Sequence, residues 1–217
     1  MEDKILINYK SICLRKSDLN CFNDYTYLND LCISFYYEYL NEIYKTVESK
    51  FLLLDPTCVS TIFFDDDMED LKECFGSLNF ETRNFIFIPI NNTTDKYSYG
   101  SGDHWALAFY EKISNKFYYL DSMKSYIKNT DLICEKIYKL IGKENKPEII
   151  VVDILKLQEN TYDCGVFVLN FTKILLERFL NSDFDNDNYF NYFKLEDFIK
   201  KENSCQNIVS DLRVEIR

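Results

Sequence analysis

The order of apolar patterns along the chain predicts an α+β fold. Helical periods come first, strand alternation follows, and one strongly apolar helical run comes late, unlike the regular strand–helix alternation of a βαβ protein. The 217 residues are 47% hydrophobic with only 5 Gly and 3 Pro, enough apolar material for a core and no sign of a long flexible linker. We therefore expect one domain over residues 1–217.

Leu28, Leu31, Cys32, Phe35, Tyr39 and Ile43 recur at three- and four-residue steps, which predicts a helix over 29–45 capped by Asn29 or Asp30. A proline-led helix is expected over 56–63. A third follows over 65–75, opened by three aspartates that suit the positive end of a helix dipole. Residues 83–90 alternate and are rich in Ile and Phe, so they read as a strand. Residues 91–102 are polar, hold two glycines and lack an apolar period, which marks a loop. Residues 104–110 and 116–121 read as a hairpin with its turn near Ser114-Asn115. A helix over 132–141 stops at Gly142, and a further strand spans 149–154. Residues 164–180 are apolar on most sides and read as a buried helix. Residues 181–191 read as an exposed polar insertion and 195–201 as a last helix.

Charge and cysteine usage exclude several classes. A formal charge of −11 repels a phosphate backbone, so a basic protein or peptide tail suits this surface better than nucleic acid. The eight cysteines, at 13, 21, 32, 58, 74, 134, 164 and 205, never lie two or three residues apart, and there is a single histidine. Zinc-ribbon spacing is absent, and no metal or cofactor is expected. The N-terminal residues show no basic-then-apolar leader and no apolar run reaches membrane length. These features predict an intracellular protein, cytoplasmic or nuclear, with reduced thiols.

Four residues supply the parts of a thiol hydrolase in the order His104, Asp121, Gln158, Cys164. His104 is the only imidazole available. Side chains alternate across a strand, so His104, Ala106, Ala108 and Tyr110 share a face, as do Phe117, Tyr119 and Asp121. A two-residue turn pairing 113 with 116 makes every cross-strand pair sum to an odd number, which puts His104 and Asp121 on one face. A diagonal pair of this kind sits about 7–8 Å apart, within reach of a histidine and an aspartate. A slip of one residue would separate them. An aspartate before Ser122 is also what a strand-end turn uses, so Asp121 alone proves little. Cys164 opens the predicted buried helix, whose first N–H groups favour a thiolate, and Gly165 leaves room for a substrate carbonyl to approach the backbone. Gln158 can donate an N–H to a tetrahedral oxyanion beside the Cys164 backbone N–H.

His104-Trp105, Asp121-Ser122 and Gln158-x5-Cys164-Gly165 resemble the ubiquitin-like-protein-specific cysteine proteases, the sentrin/SUMO protease group, over about residues 6–179. Tyr27-Leu28-Asn29-Asp30 resembles that group's Trp-Leu-Asn-Asp motif. Asn160-Thr161-Tyr162-Asp163-Cys164-Gly165 is most similar to the deneddylase branch. The resemblance implies a papain-like cysteine proteinase fold, with a central mixed sheet and the nucleophile at the N-terminus of a buried helix. It implies Cys164 as nucleophile, His104 as general base and acid, Asp121 as orienting carboxylate and Gln158 in the oxyanion hole. Trp105 would line a tunnel admitting only a Gly-Gly tail, with Tyr27 where the family has its second tunnel tryptophan. Asp30 would contact the modifier's tail, and the loop from Asn91 to Gly102 would grip the substrate. The expected partner is a ubiquitin-like modifier, NEDD-type first and SUMO next, cleaved by a monomeric enzyme. Residues 181–217 are expected to form a C-terminal extension. Deubiquitination or acetyl transfer on the same fold, or a module that binds a modifier without cleaving it, are the alternatives. The complete set of four residues speaks against the last.

Overall fold

The computed structural model describes residues 3–95, 97, 102–153 and 158–181. Strands β1 (Ile5–Tyr9) and β2 (Ile12–Arg15) form an antiparallel hairpin that leads into a short helix, α1 (Lys16–Asn20). Helix α2 (Asp30–Ile43) follows, with the Asn29 side chain capping it by accepting the Cys32 N–H at 2.9 Å. Strand β3 (Phe51–Leu53) precedes α3 (Pro56–Phe64), whose first residue is proline and whose cap is Asp55. Next come α4 (Met68–Phe75), capped by Asp67, and β4 (Phe85–Asn91). Strands β5 (Trp105–Glu111) and β6 (Lys116–Leu120) form a hairpin. Helix α5 (Thr130–Leu140), β7 (Ile149–Val151) and α6 (Cys164–Asn181) complete the described elements.

The main sheet has the order β3-β4-β5-β6-β7 and is mixed. The outer pairs β3–β4 and β6–β7 are parallel, and the inner pairs β4–β5 and β5–β6 are antiparallel. Both faces are covered, and the period of two sorts the side chains between them. Phe85, Phe87, Leu107, Phe109, Tyr118 and Leu120 pack against α2 and α6. Ile86, Ile88, Ile90, Ala106, Ala108, Tyr110, Phe117 and Tyr119 pack against α3, α4 and α5. Burial on both sides explains why β4 reads as an almost continuous apolar run. Late in α6, Phe179 stacks on Phe85 with centroids 4.0 Å apart and on Phe109 at 5.2 Å, pinning the helix to the sheet.

Several expectations need correction. The β5–β6 turn is four residues long, not two: Glu111 pairs with Lys116 and Leu107 with Leu120. The register is thus shifted by two and its parity is kept. Asn115 takes a left-handed φ of 56°, and its amide bonds Tyr110 and Tyr138, which holds the longer turn. His104 and Asp121 lie just outside the strands rather than within them. The helix expected over 65–75 starts at Met68, because the carboxylate of Asp67 takes the Glu69 and Asp70 N–H groups. Asn91 ends β4 instead of opening the loop. The elements β1, β2, α1 and β3 were not foreseen. The readings for 181–191 and 195–201 lie outside the described residues apart from Asn181, the last residue of α6.

Candidate active site

The carboxylate of Asp121 sits in a tight turn at the end of β6. Its Oδ1 accepts the Met123 N–H at 2.7 Å, and its Oδ2 accepts the Ser125 hydroxyl at 2.7 Å and the Tyr119 hydroxyl at 2.9 Å. Both oxygens lie 3.0 Å from Nε2 of His104. The turn role and the histidine-pairing role therefore coexist on one side chain. Burial works against the charge on Asp121, but the His104 ring, the Ser125 hydroxyl and the Met123 N–H outweigh it and hold the carboxyl below its usual range.

His104 is itself nearly buried, at 8% exposure. Its backbone is fixed by Asn92, whose Oδ1 accepts the His104 N–H at 3.1 Å, while the His104 carbonyl accepts the Asn92 N–H at 3.2 Å. Burial opposes a charged ring. The Asp121 carboxylate, hydrogen-bonded to the ring, and the neighbouring Cys164 thiol overcome that opposition and push the histidine up to about 9. With Nε2 committed to Asp121, Nδ1 is left buried and without a hydrogen bond among the described residues. The thiol is still near enough to act on the ring's proton, so Nδ1 is the nitrogen available to Cys164.

Cys164 begins α6, and the Asp163 carbonyl accepts the first helical bond, from the Phe167 N–H at 2.9 Å. The turn before it is organised by Asn160. Asn160 Oδ1 accepts the Tyr162 and Asp163 N–H groups, each at 3.0 Å, and its Nδ2 donates to Asp163 Oδ2 at 2.7 Å. Gln158 lies beside the Asp121 turn: its backbone N–H donates to the Ser122 carbonyl at 3.0 Å. A β-carbon on Gly165 would meet Leu28 Cβ at 3.0 Å, so this glycine admits the 27–30 segment, a tighter reason than substrate approach alone. That segment is tied down a second time by Trp105, whose indole N–H donates to the Leu28 carbonyl at 3.1 Å.

The structure thus gathers His104, Asp121 and Cys164 into one constellation, with Gln158 bonded to the turn that carries Asp121. Trp105 and the Tyr27–Asp30 segment adjoin it. Tyr27 and Asp30 are exposed, and Asp30 Oδ1 accepts the Leu31 N–H in the first turn of α2. Asn91 and Gly102 touch each other instead of pointing separately outward. The Asn91 amide lies where a Gly102 β-carbon would stand, and it also donates to the His104 carbonyl at 3.3 Å. Of the expected gripping loop, Asn91 to Gly102, residues 96 and 98–101 lie outside the described residues. Tyr119, Ser125 and Asn160 were missed as positioning groups. Only Tyr119 carried a usable signal, being two residues before Asp121 and so on its face.

A buried thiol at a helix N-terminus and an imidazole braced by a carboxylate are parts of acyl transfer through a thioester. The comparisons agree. Residues 26–207 match the model of the Ulp1 protease family, C-terminal catalytic domain. The chain is 29% identical to "Probable sentrin-specific protease 8" of Dictyostelium discoideum over 100% of this chain and 96% of that protein. It is 28% identical to "NEDD8-specific protease 1" of Arabidopsis thaliana, covering 85% of this chain and 80% of the relative. Among solved structures, the C-terminal Ulp1 protease domain in complex with Smt3, the yeast ortholog of SUMO, superposes with a TM-score of 0.59 at 19% identity, covering 98% of this chain and 90% of that one.

Proposed function

Because the chain belongs to the Ulp1 protease family and is a cysteine protease of the ubiquitin-like modifier pathway, we propose that it cleaves after the C-terminal Gly-Gly of a NEDD-type modifier, through Cys164, His104, Asp121 and Gln158. The observation that carries the residue roles is the His104 ring. Asp121 holds one nitrogen through both oxygens at 3.0 Å, and the other is left for the Cys164 thiol.

The sulfur of Cys164 attacks the carbonyl of the terminal glycine, with its proton held on His104. The tetrahedral oxyanion takes hydrogen bonds from the Cys164 backbone N–H and from Gln158 Nε2. His104 then protonates the departing amine, a lysine side chain in a conjugate or an α-amine in a precursor, and the thioester forms. Water, deprotonated by His104, releases the modifier and restores the thiol. In this reading Trp105 and Tyr27 flank the tail and Asp30 contacts it. The NEDD-type assignment draws on a relative named for that activity, at 28% identity, whereas the SUMO-bound structure shares the fold at 19%.

Modifier–peptide fusions test the branch. NEDD-type, SUMO and ubiquitin fusions are incubated separately with the enzyme and with Cys164→Ala. Preferential cleavage of the NEDD-type fusion, abolished in the variant, is expected. Preferential cleavage of SUMO would move the branch, and cleavage of none would return the non-cleaving alternative.

A further inference from the structure

We infer that Ser122 is a positioning residue for the oxyanion donor, aiming the Gln158 carboxamide from the same turn that carries Asp121. The inference rests on the oxyanion role given to Gln158 above and goes one step further, to what orients that amide. Ser122 is buried, with 1% exposure. Its hydroxyl donates to Gln158 Oε1 at 2.8 Å, and its carbonyl accepts the Gln158 backbone N–H at 3.0 Å. Two bonds therefore clamp Gln158 at both ends of the residue.

Counting donors shows what the clamp achieves. A carboxamide has one oxygen and two N–H groups. Ser122 holds the oxygen, and the Asn160 carbonyl, which can only accept, fixes the other end as nitrogen. One N–H goes to the Asn160 carbonyl at 2.7 Å. Among the described residues, the remaining N–H has only a long 3.4 Å contact to Asn160 Oδ1, an atom already accepting two backbone N–H groups at 3.0 Å. It is the weakest bond in the set and the one an oxyanion would replace. Without the Ser122 hydroxyl the oxygen end loses its tether, and the amide can swing about its remaining bond to Asn160 and carry the second N–H away from the developing negative charge. Ser122 and Asp121 are consecutive, so one turn orients both the imidazole and the oxyanion donor.

The experiment is a double-mutant cycle with Ser122→Ala, Gln158→Ala and the double variant. Each is assayed on whichever of the NEDD-type, SUMO and ubiquitin C-terminal fluorogenic amides the wild-type enzyme cleaves, with thermal unfolding in parallel. Gln158→Ala is expected to lower kcat by about a hundredfold. Ser122→Ala should lower kcat by about tenfold with KM unchanged, since the lost interaction exists only in the transition state. The double variant should be no slower than Gln158→Ala, and Ser122→Thr, which keeps the hydroxyl, should retain more activity than Ser122→Ala. Equal slowing by Ser122→Ala in both Gln158 backgrounds overturns the Ser122 assignment while leaving the oxyanion reading intact. So does a Ser122→Ala protein that fails to fold while Gln158→Ala folds. Unchanged kcat in Gln158→Ala overturns the oxyanion reading itself, and the inference with it.

Discussion

The ring of His104 balances burial against an anionic partner, and the partner prevails. Its proton is held more tightly in the folded chain than in an unfolded one, with about 9 against an ordinary 6.5. The stability this contributes is complete below about pH 6.5 and is lost as pH rises through about 9. The same proton is needed on the leaving amine, so kcat/KM is expected to fall across about pH 9. Asp121→Asn removes the carboxylate and leaves burial as the main influence. A pH–rate profile of that variant should show the alkaline limb more than one pH unit lower, with activity reduced by about a hundredfold. An unmoved limb would mean that Asp121 does not set the ring's proton affinity. Tyr119→Phe is a milder probe: it removes one donor to Asp121 and leaves the Ile127 N–H, 3.0 Å from the hydroxyl, without its acceptor. Denaturant titration should show a loss of about 1–3 kcal/mol. The His104, Asp121 and Cys164 cluster could be picked out in the sequence because these residues are chemically distinctive and His104 has no rival. Ser125 and Asn160 could not, because small polar residues in loops carry no mark of which backbone they will meet.

Strands and helices determine whether these groups meet. The hairpin reading succeeded on parity alone: a four-residue turn replaced a two-residue one, yet an even shift leaves His104 and Asp121 on one face. The elements that escaped, β1, β2, α1 and β3, are three to five residues long, too short for a period to stand out, and β3 is recognisable only through its pairing with β4. Helix α6 was legible because it is long and apolar, although what anchors it was not. Phe179→Ala removes a ring stacked on Phe85 and Phe109 and should lower unfolding free energy by about 3–5 kcal/mol. A loss under about 1 kcal/mol would show that α6 is held elsewhere. Where β4 ends, Gly102→Ala pushes into the Asn91 amide and so disturbs the His104 carbonyl. Activity should fall, and Asn91→Ala added to it should recover part of the loss by vacating the space. A further fall in the double variant would contradict this contact.

At the scale of the molecule, a sheet covered on both faces puts Cys164 and the His104–Asp121 pair on different elements that are each firmly packed. The thiol comes from the helix on one face, and the imidazole and carboxylate from the open end of the hairpin it crosses. The net charge of −11 favours approach of a partner with a basic face. If it does so here, kcat/KM for a whole modifier falls as salt rises from low to physiological, while cleavage of a short Gly-Gly peptide does not change. Equal salt dependence for both would remove long-range steering. The central claim, a thiol at 164 made nucleophilic by His104 and reached by a modifier's tail, is tested most directly by a covalent probe. A NEDD-type modifier carrying a thiol-reactive group in place of its last glycine is incubated with the enzyme, and the adduct is mapped by mass spectrometry. One adduct on Cys164, absent in Cys164→Ala and strongly slowed in His104→Ala, is the expected result. Labelling of another cysteine, or equal labelling without the imidazole, would contradict it.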